Sequence, residues 1–126
     1  MQPDAARIRL SALLGLAAII LGSMGAHGKV HDLVQAAGHL DNWKTAVLYH
    51  LAHAAVLLML GFAGTAGGKR GLWAWNVLFL GVLLFSGSLY VHALTQIRWL
   101  VYVTPVGGVA MMAGWALVLA ARWKRA

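Results

Sequence analysis

The groups best suited to chemistry in this 126-residue chain are its six histidines and a few hydroxyl side chains, set in a strongly apolar sequence. His50 and His53 fall within Thr45–Gly68, TAVLYHLAHAAVLLMLGFAGTAGG, a stretch with no formal charge. Tyr49 and His53 are four apart, and on a helix His50 lies within about 100° of both. The spacing therefore predicts one seam of Tyr49, His50 and His53, facing Ser86, Ser88 and Thr104 from later segments. His27 and His92 close two other apolar runs near the same level. Neutral imidazole donates and accepts hydrogen bonds, ligates metals and carries protons, and an ionisable residue inside a membrane is by default a functional-site hypothesis.

Three chemistries fit these residues. The first is hydrogen bonding between helices, worth about a kcal/mol or less per bond. The second is metal or haem ligation. His27, His50 and His92 near one boundary offer nitrogen ligands, with Asp32 or Asp41 the nearby carboxylates; haem wants two axial ligands at one level, and His92 is too shallow to face His53. The third is a proton relay, or contact with a quinone or lipid headgroup. His31 and His39 read as solvated residues of a connection. The packing reading is favoured, so no catalytic residue, no metal and no cofactor is assigned, and an enzyme is disfavoured.

What is missing narrows the field further. No Asp or Glu falls in any apolar run, which leaves proton-coupled export without its carboxylate. No phosphate-binding loop or nucleophile–base pair is present. The chain has no cysteine, which excludes disulfides and thiolate metal sites. Met24, Met59, Met111 and Met112 are scattered, as core filling would have them.

These residues must be held by elements that cross a membrane. The chain is 61% hydrophobic and 10% charged with mean hydropathy +0.76, against about 45–50% and 25% in soluble domains. Such a chain lacks the polar surface to enclose an apolar core, so its solvent is lipid. Net charge +7 and a pI near 10.7 would suit nucleic acid if clustered on one face. Here the basic residues sit at the ends of apolar runs, so no nucleic-acid partner is expected.

After a polar tail, residues 1–9, four spans are predicted at about 8–26, 43–66, 72–94 and 100–121. The first is read as a retained helix rather than a cleaved signal peptide. Between the first two, segment 28–42 repeats apolar residues at Val30, Leu33, Val34 and Ala37, the stripe of a short amphipathic helix lying in the interface. Gly38 is placed to end it, and Asp41 or Asn42 to cap the next helix. Small residues four apart, Ser11/Gly15, Ala18/Gly22/Ala26, Thr104/Gly108 and Ala110/Gly114, predict close helix contacts. The fold class is thus an all-α membrane protein: one domain, residues 1–126, of four antiparallel transmembrane helices with an interfacial helix between the first and second.

Seven of the ten Lys and Arg residues lie in the tail, the 67–71 turn and the C-terminus. Positive charge favours the cytoplasmic side, which predicts both termini inside. Tryptophan prefers interfaces: Trp43 and Trp99 fall at the outer boundary, Trp73, Trp75 and Trp123 at the inner one. Trp115 alone lies away from a boundary.

Four motifs occur in order: GSMGAHG, TAVLYHLAHA, LFSGSLY, and TPVGG followed by AGW. Together they resemble the small four-span membrane proteins grouped as domain of unknown function 423, related to vertebrate transmembrane protein 256, over about Ile8–Trp123. The resemblance implies an inner- or plasma-membrane protein of no established activity. It places the recurrent pattern on Gly25, Ala26, His27, Thr45, Ala46, Tyr49, His53, Ser86, Gly87, Ser88, Tyr90, Thr104, Pro105 and Gly107. His50 stands where such proteins more usually have glutamine, and His92 where an apolar residue is common. The resemblance therefore favours His27, Tyr49, His53, Ser86 and Ser88 as the shared polar set.

The expected function is that of a structural, accessory or partner-docking component in the lipid bilayer, associating with other membrane proteins or with itself. The alternative is an outer-leaflet binder or relay for a proton, metal, quinone or lipid headgroup through His27 and His53.

Overall fold

The computed structural model describes residues 2–124, and among these the chain is helical without a strand. Met1, assigned above to the polar tail, and Arg125, assigned to the basic C-terminus, lie outside the described residues.

The polar tail is a helix start instead. In α1 (Ala5–Ala26) Asp4 is the N-cap, its Oδ1 accepting the Arg7 backbone N–H at 3.1 Å. That satisfies one of the N–H groups a helix leaves open. Asp4 Oδ2 also meets the Arg7 guanidinium at 2.6 Å, and the Asp4 N–H donates to the Gly61 carbonyl. Short-range capping chemistry thus converts a hydrophilic sequence into the first turn.

A brief connection leads to α2 (Lys29–Ala36). Its end is a Schellman motif: Gly38 at φ +78° donates to Gln35, and His39 donates to Val34. Gly38 stops this helix as expected. The apolar stripe divides, with Val34 fully buried and Val30 half-buried against the bundle while Leu33 is exposed.

The helix α3 (Leu40–Ala63) starts earlier than predicted. His39 occupies its N-cap without a side-chain bond, and Asp41 and Asn42 lie inside the first turn rather than capping it. The Schellman turn already sets the entry of the chain, so no Asx cap is needed. The 3-10 turn Gly64–Gly67 reverses direction, with Gly64 and Gly68 at positive φ. Helix α4 (Gly68–Thr95) then runs back, and Gln96 in the left-handed region closes it. Helix α5 (Leu100–Ala120) follows a short turn.

Neighbouring long helices are antiparallel. Against α3, Ile8 of α1 meets Gly61 while Gly25 meets Trp43. Ser86 of α4 meets Ala46, and Trp75 meets Leu57. Between α4 and α5, Gly81 meets Met111 and Leu78 meets Gly114. Two apolar clusters result. Val34, Trp43, Ala46, Tyr90 and Ala93 form one at the end that carries α2; Leu57, Trp75, Leu78, Val82 and Met111 fill the other half. Outside these, large apolar side chains such as Leu13, Ile19, Met59, Tyr102 and Leu119 are exposed along the helices, as a protein solvated by lipid requires.

The close contacts fall on part of the set that the fourfold spacing indicated, Ser11, Ala18, Gly22 and Gly114 among them, and on others that it did not. In α1 the buried positions are Ser11, Ala18 and Gly25, seven apart, while Ala26 is exposed. In α5 the tight positions are Gly114, where a Cβ would collide with Leu78, and Gly107, where it would collide with the Phe85 backbone; Gly108 has only ordinary contacts with Phe85. Spacings of four and seven both return to one helix face, so spacing alone selects no register.

Two of the tryptophans expected near a boundary, Trp43 and Trp75, are buried between helices. Trp43 lies across Gly25 and donates to the Leu21 carbonyl at 2.8 Å; Trp75 donates to the Leu57 carbonyl at 3.1 Å. An indole ring buries a large apolar area while its N–H reaches a backbone acceptor. Trp73, Trp99 and Trp123 are exposed.

Candidate functional site

The predicted single seam is divided by α4. His50 and His53 lie three apart on α3, about 60° around the helix, and this turn sends them to opposite sides.

His53 points toward α5. Its Nε2 is 3.0 Å from Trp115 Nε1, and its Nδ1 is 2.8 Å from the Tyr49 carbonyl. Indole N–H is only a donor, so Nε2 accepts, and the ring proton of neutral His53 sits on Nδ1 and donates to Tyr49. Both ring nitrogens are occupied. Tyr49 stacks on the His53 ring with centroids 6.1 Å apart and leans on Phe85 at 4.9 Å, while its side chain is half exposed.

His50 points the other way, toward α1 and α4, and is 5% exposed. Its Nδ1 lies 2.9 Å from Tyr90 Oη. This Tyr90 contact is the hydroxyl's single hydrogen bond, so donation by the hydroxyl to Nδ1 satisfies both groups and leaves the ring proton on Nε2. Nε2 is buried without a partner.

The hydroxyl residues tie helices together. Ser86 Oγ, almost fully buried, donates to the Ala46 carbonyl at 2.8 Å. Ser88 Oγ and Thr104 Oγ1 are 2.5 Å apart, with the Phe85 and Leu100 carbonyls as further acceptors. Every such carbonyl belongs to a helix, where it takes a second bond beside the intrahelical one.

The remaining histidines lie elsewhere. His27 is exposed at the C-cap of α1 and is not brought to His53. His92 packs edge-on against His39, centroids 4.8 Å apart, so His39 is half-buried rather than solvated. His31 contacts the Gly25 carbonyl through Nδ1 at 2.7 Å. Among the described residues no three His, Cys, Asp or Glu side chains are gathered in a way that could hold a metal ion.

Three contributors received no place in the seam from the sequence, although the resemblance set Tyr90 in its recurrent pattern. Trp115 completes the His53 site, and its isolation from either boundary was the available clue. Tyr90, four residues after Ser86 and so on its face, completes the His50 site. The third is Arg7, whose guanidinium reaches Asn76 at 3.1 Å and lies 5.3 Å from the Trp75 ring centroid. Ser11 joins that cluster, donating to the Arg7 carbonyl and lying 3.3 Å from Trp75 Nε1. No periodicity marks a contact between residues so far apart in sequence.

Apolar side chains exposed along the helices, with most polar side chains hydrogen-bonded between them, define a helical integral membrane protein. The comparison with known proteins is specific. Residues 21–108 match the family described as Protein of unknown function (DUF423), and the chain belongs to that family. It is 38% identical over 117 residues to a UPF0382 membrane protein of Staphylococcus haemolyticus, covering 93% of this chain and 94% of the relative. It is 38% identical over 125 residues to the UPF0382 membrane protein YwdK of Bacillus subtilis, covering 93% and 95%. With the UPF0382 inner membrane protein YgdD of Escherichia coli K12 it shares 40% identity over 120 residues, covering 91% and 88%. No solved structure matches the chain.

Proposed function

We propose that this protein crosses the membrane four times with both termini cytoplasmic and acts as a structural or accessory component that docks other membrane proteins or further copies of itself. Helices α1, α3, α4 and α5 have 22, 24, 28 and 21 residues. At 1.5 Å per residue each is about 32–42 Å long, enough for a hydrocarbon core of about 30 Å. Three helical stretches are long and apolar enough to span, and the longest, Leu40–Thr95, is broken into α3 and α4 by the turn at Gly64–Gly67. The distribution of Lys and Arg supports the orientation, and the partly exposed amphipathic α2 supports an interfacial position for that helix. An inner-membrane location is carried over from the Escherichia coli relative.

The observation that carries the functional reading is the saturation of His53. Its donor and its acceptor both serve contacts within and between helices, leaving no lone pair for a metal and no free N–H for a ligand. The binder or relay through His27 and His53 draws less support, because His27 is exposed and apart. Unfolding of purified His53→Ala and His53→Gln in detergent tests this. The packing role predicts a clear loss of stability in His53→Ala. An alanine variant as stable as the parent would refute it.

A further inference from the structure

Gly22 and Ala26 of α1, with Ala52 and Ala55 of α3, set nothing larger than a methyl group along a groove between the two helices. The groove has a volume of about 620 Å³ and lies at the α2 end, where Trp43 rests on Gly25. Leu48 and Leu51, 67% and 45% exposed, border it, so it opens to lipid and not into the bundle. Among its lining side chains only Trp43 and Lys44 carry a polar atom. The Trp43 N–H is spent on the Leu21 carbonyl. Lys44 is exposed, and among the described residues the one ion pair is Asp4 with Arg7. The groove is thus apolar, with a single uncommitted cation at one end.

Its dimensions say what fits. From Lys44 to Ala55 α3 rises about 16 Å at 1.5 Å per residue, the depth of one leaflet in a hydrocarbon core about 30 Å thick. Averaged over that length the groove is about 40 Å² in section, half or less of a helix 10–12 Å across. Lysine near a helix end keeps its ammonium at the interface while its stem follows apolar surface. A hydrocarbon chain that enters beside Lys44 and stops near the mid-plane matches this shape, whereas a second helix does not. A symmetric pair of copies through this face would set hollow against hollow. It would also bring two Lys44 ammonium groups together, where like charges repel.

We propose that this groove holds one anionic phospholipid, its phosphate against the Lys44 ammonium and an acyl chain lying between α1 and α3 toward Ala55. Charge complementarity selects an anionic headgroup, and the apolar walls take the chain. The site goes beyond the structural role proposed above: it uses none of the His53 contacts and holds for either orientation of the chain in the membrane.

The test uses the full chain, carbon-13 labelled at its alanine methyls, in phosphatidylcholine nanodiscs. The probes are phosphatidylglycerol and phosphatidylcholine, each carrying a nitroxide at mid-chain. Ala113 and Ala116, exposed on α5, report ordinary lipid contact. The anionic probe should broaden the Ala52 and Ala55 resonances saturably at fractions that leave Ala113 and Ala116 sharp. The zwitterionic probe should broaden both pairs alike. Lys44→Gln should raise the fraction of phosphatidylglycerol needed about fivefold, the worth of one cation at a membrane surface. Arg98→Gln removes an exposed cation outside the groove and should change that fraction little. Equal broadening of the two pairs by the anionic probe would overturn the proposal, as would an undiminished preference in Lys44→Gln. Quantitative disulfide formation between copies of Ala52→Cys, in a chain without native cysteine, would place a second copy in the groove and overturn it too.

Discussion

Trp115 Nε1 on α5 donates to His53 Nε2 on α3 across 3.0 Å, joining two helices that share little other packing. The bond also decides the chemistry of the imidazole, because an indole N–H forces the facing nitrogen to accept. A histidine that a sequence reader would nominate as a ligand becomes a fastener.

Trp115→Phe keeps most of the ring but removes the donor, leaving a buried acceptor unpaired. Expected destabilisation is about 1 kcal/mol, between the average for interhelical bonds in membranes and the larger cost of an unsatisfied buried group. A double-mutant cycle with His53→Gln, followed by circular dichroism during denaturant unfolding in detergent, should give coupling of similar size. Strict additivity would show that the bond contributes nothing.

At the α2 end, the Trp43 indole lies directly on Gly25, where a Cβ would overlap the ring. Gly25→Ala should therefore cost about 1–3 kcal/mol by overpacking. Combining it with Trp43→Phe should cost less than the sum of the single changes, because the smaller ring vacates the space. Thermal unfolding of the three variants in one detergent measures this directly.

The Asp4 carboxyl is held below its ordinary value of 3.8, chiefly by the Arg7 backbone N–H and then by the Arg7 side chain. A depressed folded-state value means that the group contributes stability above the unfolded value and loses it as pH falls through the folded one. The cap should thus be intact at neutral pH and weaken only below about pH 4. Asp4→Asn keeps a capping oxygen and should remove this acid dependence, which hydrogen exchange of the first turn of α1 would report.

Four crossings with cytoplasmic termini predict opposite labelling of single cysteines placed in α2 and in the α3–α4 turn. The chain has no native cysteine to interfere. Exposed Lys69 suits the turn, whereas at Gly67 a side chain would strike Trp123. In intact cells an impermeant maleimide should label Ala36→Cys and spare Lys69→Cys; the reverse pattern would invert the protein in the membrane.

Much of this architecture is legible in the sequence. Uncharged runs longer than the bilayer core require helices, because in lipid every backbone group must be satisfied within its own segment. The turn residues Gly38 and Gly67–Gly68 mark breaks with little ambiguity, and the order of motifs identifies the family. The polar residues were legible as types but not as partners. Ser88 and Thr104 were expected to share a seam and do so, whereas His50, His53 and Ser86 were expected together and make separate contacts.

The sequence by itself thus determined solvent, helical content and family, since these depend on composition and on order along the chain. Tertiary structure alone decided which small residues touch, which tryptophans are buried, and which histidine is spent. Those outcomes depend on the rotation of each helix about its axis, set by close packing against its neighbours. A rotation of about 60° separates His53, saturated by Trp115 and Tyr49, from His50, which is buried against α4 with Tyr90 as its partner.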